Sequence, residues 1–166
     1  MTTSAIDYCA ILSLCETYRY VLRRTWRERV SQDGRCLFIM LNPSTADAVT
    51  DDATVRRCVG YAKSWGFPDL TVVNLFALRA TDPRELDDHH DPVGPDNDLY
   101  LDEEIRRHEG HLQVAAWGAH HRAPARAKEI AHLLQHVSAL TTTRSGAPGH
   151  PLRLRRDLRP TPWAFP

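Results

Sequence analysis

Lysine is nearly absent: Lys63 and Lys128 are the two present, so almost all positive charge rests on arginine. Guanidinium groups make bidentate contacts with phosphate that an ammonium cannot, although the base composition of a source genome accounts for the same bias. Net charge is missing too, 21 basic side chains standing against 21 acidic ones, which removes any global polyelectrolyte signal for nucleic acid. No apolar run approaches the roughly 20 residues of a membrane span. Residues 1–10, MTTSAIDYCA, show neither the charged start nor the apolar stretch of a signal peptide; a cytoplasmic protein with no membrane partner is expected. The four cysteines, Cys9, Cys15, Cys36 and Cys58, form no CxxC pair, which argues against a disulfide scaffold or a zinc ribbon and for reduced thiols used in packing. GxGxxG, a Walker loop, GxSxG and HExxH are all absent, so the common dinucleotide, NTP, serine-hydrolase and zincin chemistries have no motif support.

What is present is a chain of 166 residues, 42% hydrophobic and 25% charged, values of an ordinary globular protein. A single domain over 1–166 is expected: an N-terminal extension at 1–16, an α/β core at 17–143 and an Arg/Pro-rich tail at 144–166 packing near the site. Charge is uneven. Residues 82–104 are acidic, whereas Arg19, Arg23, Arg24, Arg27 and Arg29 cluster near one end and Arg144, Arg153, Arg155, Arg156 and Arg159 near the other. If the ends meet, one face is basic.

TYRYVLRRTW, residues 17–26, alternates β-branched and aromatic residues and predicts a strand, followed by a turn around SQDG. CLFIMLN, residues 36–42, is an unbroken apolar run and the best central strand. Asp51 or Asp52 caps a helix to about Ser64, in which Val55, Cys58, Val59 and Ala62 recur at helical spacing before Gly66 and Pro68. LTVVNLFAL, residues 70–78, is a second buried strand. A long polar loop covers 79–94; helices follow at about 95–108 and 123–136, with strands at 113–118 (QVAAWG) and in VSALTTT. This alternation predicts an α/β fold with three α/β/α layers, a central, mostly parallel four-stranded sheet and an N-terminal antiparallel hairpin.

Ligands of open α/β sheets bind at the carboxyl ends of the strands. There this sequence places Asn42-Pro43-Ser44-Thr45, then Asn74 with Arg79, then Trp117-Gly118, then Gly149-His150-Pro151. A buried asparagine is costly unless its amide is paired. Asn42 and Asn74 therefore require either local caps or a ligand, and together they favour a site.

These residues resemble the domain of unknown function 1643 family, a group of small bacterial and phage proteins. The resemblance is carried by YRYVLRRTW, FIMLNPSTADAVTDDATVRRCVGYAKSWGF, LTVVNLFALRATDPREL, DPVGPDNDLYL, VAAWGAH and GHPLRL, and covers residues 18–154. It implies no activity. More distantly, the order strand-NP, strand-N-x-x-x-x-R, strand-WG and a final HP is similar to that of the uracil-DNA glycosylase superfamily, above all its mismatch-specific members. That similarity implies a uracil-DNA-glycosylase-like fold, with Asn42 positioning the attacking water, Asn74 reading the base edge and His150 hydrogen-bonding the departing base. The chain departs from the pattern at Ser44-Thr45 and in GHPLRL, which lacks a Ser-Pro continuation. TDDATVRR has no counterpart there, so Asp51, Asp52, Thr54 and Arg57 form a second candidate cluster. Helix capping by one of the two acids, with Arg57 pairing nearby, is its structural alternative.

Breaking an N-glycosidic bond puts positive charge on the sugar and negative charge on the base. A neutral imidazole donating to the base oxygen is worth about 2.7 to 4 kcal/mol. Asparagine cannot be a general base, so Asn42 can only orient water, and a slow enzyme is expected. Flipping a nucleotide also needs a grip on phosphate and a wall for the base. Arg144, Arg153 and Arg155 are candidates for the grip; Trp117 or Phe76 for the wall, with plain core the stronger alternative for Trp117.

Nine histidines invite a metal, but His89-His90, His120-His121 and His132 with His136 each lack a third ligand at a motif spacing. No metal or cofactor is expected. Three readings stand: an N-glycosidic-bond hydrolase acting on a nucleotide or nucleic acid, a non-catalytic module binding a nucleotide or single-stranded nucleic acid, and an unrelated small-molecule enzyme, which Asp51, Asp52 and Arg57 in the pocket would favour. Oligomeric state has no signal in the sequence.

Overall fold

The computed structural model describes residues 6–26 and 34–165. Strands β1 (Ile6–Leu12), β2 (Arg19–Trp26) and β3 (Cys36–Met40) precede helix α1 (Ala53–Ser64) and strand β4 (Asp69–Asn74). Helices α2 (Glu85–Asp88) and α3 (Asn97–Arg107) lead to β5 (Leu112–Ala115), followed by α4 (Ala123–Glu129), β6 (Ser138–Ala139) and β7 (Thr161–Pro162). One mixed sheet contains all seven strands in the order β1-β2-β4-β3-β5-β6-β7. Strands β4, β3, β5 and β6 run parallel, while β1, β2 and β7 join antiparallel at the two edges.

Every residue of β3 is buried, as expected of a strand covered on both faces. Its alternation separates two apolar clusters. Leu37 and Ile39 join Leu101 and Ile105 of α3 and Ala123 and Ala127 of α4. Cys36, Phe38 and Met40 meet Val55, Cys58, Val59 and Ala62 of α1. Helix α1 starts where its cap allows: the Asp52 carboxylate accepts from the Val55 amide at 2.8 Å. Gly66, at φ +86°, ends it.

Several expectations need correction. The hairpin is not closed around SQDG, since β2 pairs with β4, and the hairpin partner of β2 is β1, within the stretch set apart as an extension. Its reversal lies at 13–18, where the Ser13 amide donates to the Tyr18 carbonyl at 3.0 Å. Residues 31–33 of the SQDG turn, and Arg27 and Arg29 of the basic cluster, lie outside the described residues. The 123–136 helix stops at Glu129 and continues as a 3-10 turn over Ala131–Leu133. Its buried positions Ala127, Ile130 and Leu134 keep a helix-like spacing through that change, so the periodicity hides it. VSALTTT supplies only the two-residue β6, because Thr141 and Thr143 turn back to bond Gly149 and Ala147. The long loop is packed: it contains α2, its Leu86 is buried, and the Tyr18 hydroxyl donates to the Asp91 carbonyl at 2.9 Å. Gly94, at φ +89°, sits where a Cβ would come within 2.8 Å of the Tyr18 ring, so no larger residue fits.

After Ala139 and the following turn, the chain lies along α1. Two α1 side chains and that of Trp65, which caps its C-terminus, lie one turn apart and donate to its backbone: Arg57 to the Leu154 carbonyl, the Tyr61 hydroxyl to Arg155 and the Trp65 indole to Leu158, the last at 3.0 Å.

Candidate functional site

A cleft of about 580 Å³ opens at the carboxyl ends of β3 and β4, bounded by the N-terminus of α1 and by Leu152 and Arg153 of the returning tail. Asn42, Ser44, Asp52, Thr54, Asn74 and His150 all line it. The amide expected from the first buried parallel strand and the imidazole expected from the tail therefore share one crevice. Apolar surface comes from Met40, Val55, Cys58 and Val72; burial pushes the Cys58 thiol well above its ordinary range.

The two asparagines differ. Asn42 Nδ2 donates to the carbonyls of Pro43 and Ala80, each at 2.9 Å, pinning the chain after β4 against the chain after β3. Its Oδ1 accepts no hydrogen bond among the described residues and is the part left for a ligand. Asn74 is 2% exposed, and its Nδ2 has no partner. Its backbone is fixed from the opposite face. Asn97, fully buried, donates to the Asn74 and Leu75 carbonyls at 3.0 and 3.1 Å, and Arg126 Nε donates to Leu75 at 2.9 Å. A buried donor left open costs about 1 to 3 kcal/mol, so Asn74 offers a hydrogen bond that a ligand or water must take.

His150 Nδ1 accepts from the Leu152 amide at 3.3 Å. The neutral ring then carries its proton on Nε2, the nitrogen left free to donate. His150 is an exposed residue, and partial desolvation of its ring lowers its pKa against the Asp52 charge, which favours the neutral donor. Asp52 uses Oδ1 as the α1 cap and is the one carboxylate among the residues lining the cleft. Arg19, 3% exposed, lines the cleft, although the sequence marks it only as one of the N-terminal basic cluster. Its Nη1 donates to the Ala46 carbonyl at 2.7 Å, and burial pulls its pKa down to about 10 against the pull of Asp52. A basic residue on a β-strand carried no signal of inward orientation.

Other expected residues lie elsewhere. Trp117 is core, packed edge-on against Trp163 with centroids 5.4 Å apart, and Phe76 is buried beneath Arg122; neither walls the cleft, whose walls are aliphatic. Gly118, at φ +77°, donates to the Pro148 carbonyl at 2.9 Å and supports the His150 loop from behind. Pro43 is buried and acts through its carbonyl. Thr45 and Arg79 line an adjoining recess of about 560 Å³ that shares Ser44, Ala80 and Thr81 with the cleft. Asp51 pairs with fully buried Arg24 at 2.7 Å, not with Arg57. Arg155 turns to Asp157 at 3.0 Å, and Arg144 lines neither cleft nor recess. Of the three tail arginines Arg153 alone borders the cleft.

Folding does give His120 and His121 a third potential ligand. Asp87 of α2 lies 3.1 Å from His121 Nε2, and ligand atoms of the three residues fall within 4.8 Å of one another. The Arg122 guanidinium, 3.9 Å from the same carboxylate, already supplies a cation there.

Strand order and cleft define a mixed α/β protein with a polar pocket above its central parallel strands. A family model described as a protein of unknown function, DUF1643, matches residues 19–152; the chain belongs to that family. No curated protein and no solved structure matches it.

Proposed function

We propose that the cleft binds a nucleobase and hydrolyses the N-glycosidic bond that joins it to its sugar. The carrying observation is the open Nδ2 of Asn74, buried at strand-end depth in a cleft also lined by the His150 ring and Asn42. A base carbonyl supplies the acceptor that this donor lacks. His150 Nε2–H donates to the base as the C1′–N bond breaks and the bonding electron pair leaves with the base. Asn42 Oδ1 orients the water that captures the sugar cation, and the Asp52 carboxylate takes the proton this water releases. The similarity to the uracil-DNA glycosylase superfamily supports the same three roles for Asn42, Asn74 and His150; the acid at position 52 is supplied by the TDDATVRR segment of this chain.

The test is incubation with oligonucleotides containing uracil, hypoxanthine and modified bases, scored for alkali-labile abasic sites. Wild type produces them, His150→Ala lowers the rate about 100-fold, and Asn74→Leu abolishes base preference. A wild type that binds base-bearing strands yet releases no base favours the binding module. The commitment of the Asn42 amide nitrogen to the Pro43 and Ala80 carbonyls points the same way, since it restricts what Asn42 can contribute to water activation.

A further inference from the structure

Eight of the 17 described arginines lie within ion-pair distance of an acid. Arg23 meets Glu104, Arg24 meets Asp51, Arg84 meets Asp82, Arg106 meets Asp102, Arg107 meets Glu103, Arg122 meets Asp87, Arg126 meets Asp98 and Arg155 meets Asp157. Nine have none within that distance among the described residues, in a chain whose formal charge is zero. Six of the nine, Arg19, Arg56, Arg57, Arg79, Arg153 and Arg156, line the cleft or the spaces adjoining it, the other three being Arg35, Arg144 and Arg159.

Their placement is continuous. On one side the cleft passes, through the shared residues Ala53 and Leu152, into an open groove of about 780 Å³ between α1 and the tail. Arg56 and Arg57 line its helix side and Arg156 its tail side, over a bare floor at Gly60, where a Cβ would meet nothing within 4 Å. On the other side, through Ser44 and Thr81, it passes into the recess of Arg79, lined also by Thr17, Ser44, Thr45, Thr81 and Glu16, whose backbone carbonyl accepts from Arg79 Nη1 at 3.1 Å. The groove walls are held in place by the Arg57, Tyr61 and Trp65 bonds to the tail backbone. Leu152, an exposed apolar side chain, stands at the junction of groove and cleft.

From this arrangement we infer that the groove, cleft and recess form one track for a single-stranded polynucleotide, its phosphates on Arg56, Arg156 and Arg79 and one base turned down towards Asn74. A mononucleotide has phosphate at one end and would use one flank; guanidinium groups on both flanks match a chain that enters and leaves. A concave track between a helix and a strap admits one strand, whereas a duplex is a rigid cylinder that must first be opened to deliver a base. The inference rests on the cleft reading for where the base goes; the phosphate contacts stand apart from it.

Fluorescence anisotropy on the full chain tests it, with a single-stranded oligothymidylate, the same backbone without bases, the matching duplex and thymidine monophosphate as probes. Both single strands bind, with affinity falling as salt rises at a slope of about −0.7 per phosphate contact. The duplex and the mononucleotide bind at least tenfold more weakly. Arg56→Glu with Arg156→Glu weakens the base-free strand at least tenfold and flattens the salt slope, whereas Arg106→Glu on α3 changes neither. Asn74→Leu leaves the base-free strand bound as before. If the groove variant binds like Arg106→Glu, or if duplex or mononucleotide binds as tightly as the strand, the track is overturned while base release in the cleft can still be observed. If the strand binds through the groove and no base is ever released, the track stands and the hydrolase reading falls.

Discussion

Asn74 faces Met40 in the parallel register of β3 and β4, so its amide and that of Asn42, two residues beyond Met40, rise on the same side of the sheet. One of these amides is tied into the backbone and the other is bare. The difference separates the two amide nitrogens: that of Asn42 holds the strand ends together, and that of Asn74 is left without an acceptor.

Asn42→Asp is expected to destabilise more than Asn42→Ala. Alanine loses the bonds to the Pro43 and Ala80 carbonyls, about 1 to 2 kcal/mol, whereas aspartate turns an acceptor charge toward two carbonyls and costs about 2 to 3 kcal/mol. Urea unfolding of both variants measures the order, and an aspartate variant as stable as wild type removes the clamp from the account.

Arg24 ties β2 to the segment ahead of α1. Its Nε bonds Asp51, Nη1 donates to the Arg23 carbonyl at 2.9 Å, and Nη2 donates to the Asp47 carbonyl at 2.6 Å. Arg24→Met leaves Asp51 and the Asp47 carbonyl without their donor and should cost about 3 to 5 kcal/mol. Since Asp52 follows directly, base release should fall further than in a variant equally destabilised elsewhere, such as Leu101→Ala; equal losses would separate Arg24 from the cleft.

Tyr61→Phe removes the hydroxyl that holds the Arg155 carbonyl. The expected cost is about 1 kcal/mol, with faster tryptic cleavage in the tail at Arg155 and Arg156 under native conditions. Unchanged cleavage would mean that the strap is held by Arg57 and Trp65 alone.

His108, 1% exposed, has its pKa lowered by burial, opposed by its bond to the Glu104 carbonyl and by the Glu104 charge. The folded state thus binds the proton less tightly than the unfolded chain does. This contribution to stability is complete above the unfolded value of about 6.5 and is lost as pH falls from there through the lowered folded value. His120 and His150 shift in the same direction. His108→Gln should therefore flatten, without abolishing, the loss of stability between pH 7.5 and 5.5 measured by chemical denaturation; an unchanged slope assigns it to the other two.

The central strands were legible because burial on both faces leaves an unbroken apolar run, as in CLFIM, and α1 because an acid cap precedes apolar residues at helical spacing. Edge elements left no such trace. β1 is half exposed, β6 and β7 are two residues each, and the insertion of β4 between β2 and β3 is a long-range pairing that no local pattern encodes. Within the site, polar residues at strand ends announced Asn42, Asn74 and His150, because an amide in an apolar run conflicts with its surroundings. Trp117 reads in the sequence more as core than as a base wall, and its contact with Trp163, 46 positions later, decides for core. Asn97 and Arg126 were missed because each lies on an amphipathic helix, where polar residues ordinarily face water.

The hydrogen bonds from α1 to the tail take hold of peptide oxygens, and Leu154 and Leu158 pack against the apolar cluster beneath. Positions 153, 155 and 156 can therefore drift in identity while the strap stays anchored, and the margin of the groove can acquire a new chemical preference without the protein having to relearn how to fold.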